Sequence, residues 1–398
     1  MKYSNRFCSL IAGAVVANMM MTSAHADPME VALLQEAIFS GKTSLELRLR
    51  AEYVDFETTP ETDAETLRTV LGYKTGDYHG IKAFLEFENV STLGNGDYNS
   101  GTTGFGNKKT QFGSIPDPAL TQINQAYLEG YGVKGGRQKV IFDNARFVGD
   151  VGWRQNDQTF DGVSYSNATL VKDLTLSADY LTRVNNIFGV SRVVKAPMLN
   201  VRYAGFAPAK ASVFYYAIEE KSAPATSWQH TGIRMDGVIK DFLYEVSFAD
   251  QQDYADGTAA GTPDANYTDL QLGYKFGPVT LKVEQEVLEK GFKTPLATLH
   301  AFNGWADRFL VTPVNGLEDL NVKLLAKLAD YNLVLAAHDF QAEATDDKYG
   351  QEVDFSVSKP LTSKLTGLLK FAGFNADGTT AGFKNDTTKV WLQFAYKM

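Results

Sequence analysis

Between Thr43 and Val54 the chain reads TSLELRLRAEYV, and apolar and charged residues alternate. Leu45, Leu47, Leu49, Ala51 and Tyr53 fall on one parity, and Glu46, Arg48, Arg50 and Glu52 on the other. The same period of two runs through TLRTVLGYK and GIKAFLEFEN, then recurs in DLTLSADYLTR, MLNVRYAGF, DFLYEVSF, DLQLGYKFG, VTLKVEQEVL, DLNVKLLAKL and NLVLAAHDF. It closes the chain in KVWLQFAYKM, where Val390, Leu392, Phe394 and Tyr396 share a face. A period of two with charges on the alternate face predicts strands with one polar side.

The connections decide which kind of sheet this is. Short turns such as TGDYHG, GVKGG, VIKD and FGPV alternate with long polar loops, among them STLGNGDYNSGTTGFGNKKTQFGSIPDPA, DYADGTAAGTPDAN and NADGTTAGFKND. A β-sandwich lacks that asymmetry between its two ends, whereas outer-membrane barrels are built on it. The prediction is therefore all-β: a single transmembrane antiparallel β-barrel of about 18 strands, with both termini periplasmic. In a barrel the apolar rows face lipid and the charged rows line the lumen. Arg48, Arg50 and Arg68 must then point inward, because a charge on the lipid face costs about 2–4 kcal/mol at mid-bilayer.

Residues 1–26 read as a secretory signal peptide: Lys2 and Arg6, then SLIAGAVVANMMM, then Ala24-His25-Ala26 before Asp27. Residues 27–398 are the expected barrel, with 27–41 a short periplasmic N-terminal segment that forms a helix over Val31–Phe39. The lone cysteine, Cys8, lies in the signal segment, so the exported chain has no thiol for a disulfide or a metal. Loss of Lys2 and Arg6 takes the formal charge from −9 to −11, which argues against nucleic acid as a partner. The expected location is the bacterial outer membrane, with lipid around the wall and the barrel-assembly machinery engaging the C-terminal strand. The sequence assigns no oligomeric state.

Charge is densest in GRQKVIFDNARFVGDVGWRQNDQTFDG, a stretch of strand character holding Arg137, Arg146 and Arg154 beside Asp143 and Asp161. Catalytic readings of such residues find no support. His79, His230, His300 and His338 are scattered without metal-ligand spacing, no GxSxG or P-loop occurs, and a histidine on a strand reads as a solvated lumen residue. His338-Asp339 is the nearest local acid–base pair. No enzyme activity, cofactor or metal is expected. The segment 91–121 is long enough either to enter the pore or to remain external.

GRQ at 136–138, FVGDVGWRQNDQTFDG and PLATLHAFNGWADRFL, together with SGKTSLELRLRAEY and LRTVLGYKTG, resemble the alginate-export family of outer-membrane porins. That resemblance implies a single 18-stranded barrel whose lumenal arginines form an electropositive constriction. It carries the constriction to Arg137 and Arg154, with Asp161 as counter-charge; Arg146 and Asp143 complete the expected cluster. Arg48, Arg50, Arg68, Arg183 and Arg202 are expected to add lumenal charge. Glu46, Glu52, Glu86, Glu88, Asp179, Glu284 and Glu286 make that lumen mixed in sign. Passive diffusion of small hydrophilic solutes, with a bias toward oligosaccharides or organic anions, fits such a lumen better than export of an acidic polysaccharide such as alginate. An outer-membrane hydrolase is the remaining reading.

Overall fold

The computed structural model describes residues 27–378, 380 and 382–398. The expected signal peptide, 1–26, lies outside the described residues. Among these residues eighteen antiparallel strands form one closed barrel, from β1 (Lys42–Phe56) to β18 (Thr387–Lys397). Each strand pairs with its neighbours in sequence, and β1 meets β18 from Glu46↔Lys397 to Phe56↔Thr387, so the sheet has no edge.

The alternation is inside out relative to a water-soluble sheet. Leu49 is 42% exposed while its neighbour Arg50 is 1% exposed. Leu71, Leu128, Val213 and Leu320 likewise stand on the outer surface. Backbone groups there are bonded to the flanking strands, which lets the apolar rows meet lipid at little polar cost.

The two ends differ as the loop lengths demand. At one end lie tight connections and both described termini. Between β4 (Leu120–Gly130) and β5 (Val133–Gln138) the reversal takes only Tyr131 and Gly132, at φ 52° and 82°. Two successive positive φ values give the primed turn whose twist matches the strands. The opposite end carries the long loops 94–119, 139–158 and 289–316.

The stretch 139–158 is a correction to its expected strand character. β5 stops after six residues and the wall resumes with β6 (Thr159–Asn167). Asp143, Ala145 and Val151 have φ of 49°, 65° and 54°, values no extended ladder accepts. The segment folds into the barrel because its apolar side chains have somewhere to go. Phe147 lies 5.1 Å from the rings of both Phe214 on β9 (Ala209–Glu220) and Tyr267 on β12 (Ala265–Phe276). Loop 289–316 joins the same core through Phe292 and Leu296, and Val148 forms a parallel bridge with Leu296. The lumen is thus not watery throughout: toward the long-loop end it holds an aromatic core.

Candidate pore constriction

Three loops meet inside the barrel, and their charged residues tie them to the wall. Arg154, in loop 139–158, bonds Asp117 of loop 94–119 through Nε at 3.1 Å and Nη2 at 2.8 Å. Its Nη2 also lies 2.7 Å from Glu52 on β1, and Nη1 lies 3.8 Å from Asp307 of loop 289–316. Arg154, Asp117 and Glu52 are closed to water, and the Asp307 side chain is nearly so. Burial by itself favours their neutral forms, yet the mutual field wins: Asp117 is held below its usual value by Arg154 and Arg50, and Arg154 is raised by Asp117 and Glu52. Loop 94–119, whose placement the sequence left open, therefore enters the pore through Asp117.

Arg50 stacks over Trp153, 4.2 Å from the ring, and donates to the Trp153 carbonyl at 2.6 Å. His300 stacks on the same indole at 4.5 Å. Its Nδ1 lies 2.6 Å from Asp307 and its Nε2 2.7 Å from Lys370 Nζ, so one ring nitrogen donates and the other accepts. Burial pushes this imidazole down to about 3; Asp307 opposes and Lys370 and Arg154 reinforce the shift. His300 is a neutral spacer, not the solvated lumen residue the sequence suggested. His230 and His338 are buried too. His338 bonds Asp319 at 2.8 Å, while the adjacent Asp339 pairs with Lys348, so the local His338-Asp339 pair does not form.

A second brace surrounds Asp157. Its carboxylate bonds Arg68 at 2.5 Å, Lys139 at 2.6 Å and Asn124 at 2.9 Å, and Arg68 also reaches Glu88 and Glu46. Arg48 donates to the carbonyls of Gly152 and Arg154. Arg146 forms a third brace, 2.6 Å from Glu286 on β13 (Val279–Leu288) and 3.0 Å from Asn303.

The remaining expected site residues fall elsewhere. Arg137 and Asp161 do pair, at 2.7 Å, but on the outside of the wall. They share strand parity with Val133 and Val163, 44% and 53% exposed, whereas Lys134, Gln138 and Ser164 line the internal cavity. Arg183, in register with Asp161 and Val193 across a bulge, shares that outer face. The physical reason is parity: Phe160, buried in the core, faces in, so Asp161 must face out. Asp143 holds none of Arg137, Arg146 and Arg154; it takes Asn200 at 2.7 Å and Arg202 at 3.5 Å. Sequence reasoning missed Asp117, Asp307, Lys370 and Lys389 altogether. Asp307 sits within the quoted segment PLATLHAFNGWADRFL, which was the available signal.

Two chambers flank the loops. One of about 500 Å³ opens toward the tight-turn end, lined by Lys82, Glu129, Lys134, Lys139, Ser164 and Asp179. The other, about 250 Å³ at the long-loop end, is lined by Phe56, Asn99, Phe112, Asp307, Arg308 and Lys389. No residue lines both. Among the described residues no cluster of potential metal ligands occurs.

A family model described as alginate export matches residues 65–286, more than half the chain. No curated protein matches the sequence significantly. Among solved structures, Pseudomonas aeruginosa OccK3 (OpdO) superposes with a TM-score of 0.68 at 12% identity, covering 94% of this chain and 99% of its own. Acinetobacter baumannii OccAB3 gives 0.67 at 11%, with 91% and 100% covered. Pseudomonas aeruginosa OccK1 (OpdK) gives 0.67 at 13%, with 91% and 99% covered. At these identities the likeness is one of fold: the closed 18-stranded barrel of outer-membrane porins.

Proposed function

This chain belongs to the alginate-export family of porins and resides in the bacterial outer membrane, and from that footing we propose that it is a passive channel for small hydrophilic solutes, including organic anions, with no enzymatic activity. The observation that carries this reading is the pair of chambers separated by three ion-paired loops. A solute crosses by passing a braced, charged partition, a geometry suited to molecules of a few sugar units at most.

Arg48, Lys139 and Arg202 keep contact with water and are the cations we assign to the solute path. Arg50, Arg68, Arg146 and Arg154 brace the partition. Across the lumen, Asp269, Glu284, Glu286 and Asp319 lie buried on adjacent strands, with Glu284 paired to Lys323 and Glu286 to Arg146. The partition closed by three ion-paired loops argues against polysaccharide export as the main activity. In our reading the tight-turn end, with both termini, faces the periplasm, and 27–398 acts as one unit.

Planar-bilayer conductance and vesicle swelling with sugars of increasing size test this. The expected result is a small conductance, a cutoff at short oligosaccharides, and flux of monomeric uronates. Passage of long polyuronate chains would overturn it in favour of export, and turnover of lipid or polysaccharide in favour of a hydrolase.

A further inference from the structure

The helix ahead of the barrel, α1 (Pro28–Phe39), is apolar around most of its circumference. Asp27 starts it by accepting from the Met29 amide at 2.9 Å, and Pro28 suits the first turn, where its missing N–H is not needed. Only one narrow face is used for docking. The Ala37 carbonyl accepts from Gly76 at 2.7 Å, Glu30 bonds the Tyr78 hydroxyl at 3.0 Å and His79 at 2.9 Å, and the Tyr73 hydroxyl donates to the Ile38 carbonyl. Tyr73 lies on β2 (Thr62–Lys74) with the parity of Leu71, so it belongs to the outer face. The helix therefore rests on the outer rim of the tight-turn end.

That docking leaves Met29, Val31, Leu33, Ile38 and Phe39 uncovered, with Met29 68% and Phe39 84% exposed. An uncovered apolar surface of this extent on a helix calls for an apolar phase to cover it. The lipid-facing band of the wall runs through Leu71 and Tyr73 up to this rim, so the uncovered face continues an apolar surface already in contact with lipid. We propose that α1 is an interfacial helix, lying in the membrane leaflet at the tight-turn end with Leu33, Ile38 and Phe39 in the boundary between headgroups and acyl chains. Its acidic residues, Asp27, Glu30 and Glu36, give anionic headgroups nothing to attract, so apolar contact drives the association. This rests on the outer-membrane barrel reading.

Spin labels at single cysteines test it in the full chain, in a Cys8→Ser background refolded into phosphatidylethanolamine–phosphatidylglycerol vesicles. Labels go at Leu33→Cys and Phe39→Cys, with Leu199→Cys as the lipid-facing wall control and Ala259→Cys as the loop control. The expected ratio of oxygen to nickel-chelate accessibility at 33 and 39 is several-fold above that at 259. A ratio equal to that at 259 overturns the proposal, as does dipolar broadening that places the helix against a second copy. If the label at 199 also reads as water, the barrel reading itself has failed. As a second test, Met29→Asp with Phe39→Asp should accelerate protease cleavage within 29–40 at least tenfold while heat-modifiable mobility is retained. Unchanged cleavage in that variant would equally sink the idea.

Discussion

Arg154 and Asp117 face each other side-on inside the barrel, two parallel hydrogen bonds of 3.1 and 2.8 Å joining loops that come from different hairpins. A buried, bidentate pair of this kind is costly to break one-sidedly, about 3–5 kcal/mol, because the abandoned charge stays buried. Arg154→Ala leaves both Asp117 and Glu52 without their main cation. We expect the strand ladders to hold, so heat-modifiable mobility persists, while the loops loosen and single-channel conductance rises. The Arg154→Ala/Asp117→Ala double variant should be less perturbed than the sum of the singles. Additive effects in that cycle would show that the pair does not act as a unit.

Acid should open the same partition, and the sign follows from His300. Its folded value of about 3 lies below the ordinary 6.5, so the folded state binds fewer protons than the unfolded one in between. The stabilisation is complete above about pH 6.5 and fades as pH falls, by about 1.4 kcal/mol per pH unit. Asp117, Asp157 and Asp307, all held below 3.8, add a second loss only below that value. Proteolysis of loop 289–316 should therefore rise between pH 6.5 and 4.5, and His300→Gln should flatten that part of the profile. A profile unchanged by His300→Gln would assign the acid sensitivity to the carboxylates.

The outward pair Arg137–Asp161 should matter for stability and not for selectivity. Arg137 is the fifth residue past a two-residue turn, about 17 Å along the strand, well inside the apolar band. Asp161→Ala removes the carboxylate of the pair and leaves Arg137 its longer bonds to the Ile123 carbonyl and Asn185, beside Arg183 on the outer face. It should cost up to about 2–4 kcal/mol in urea refolding from vesicles. Replacing both partners by leucine should be milder. Reversal potentials should stay put in every variant; a shift would return these side chains to the solute path.

Orientation is testable with epitope tags. Insertions at Ala259 and Thr345, both in exposed long-end loops, should be reached by antibody on intact cells. Insertions at Asp77 and Asp330 should not. Labelling of the second pair alone would invert the barrel.

The wall was legible because β1 writes it in single letters: lipid and lumen impose opposite chemistry on Leu49 and Arg50, and a strict period records both. The partition was not, because its residues obey no period. Val140, Phe142, Phe147 and Val148 follow Arg137 in what reads as one more strand, and only the positive φ values at Asp143, Ala145 and Val151 reveal the dive inward. A one-residue parity slip has the largest consequence in the site. Counting from the arginine-rich stretch places Arg137 and Arg154 together, whereas the wall's pleat sends the first to lipid and the loop carries the second to the centre. Asp117 and Asp307 lie 37 and 153 positions from Arg154, a proximity that local sequence does not encode.

The bridge between Val148 and Leu296 has a mechanical meaning. Hydrogen bonds around the circumference fix how many strands the barrel has and how they are staggered, but a ring of hinges flattens easily under lateral load. Val148 is carried between β5 and β6, and Leu296 between β13 and β14 (Leu317–Leu328), so their junction spans the ring as a chord. It ties the two sides of the ring together like a tie-rod, so flattening of the cross-section under lateral pressure would have to strain this junction as well as the wall.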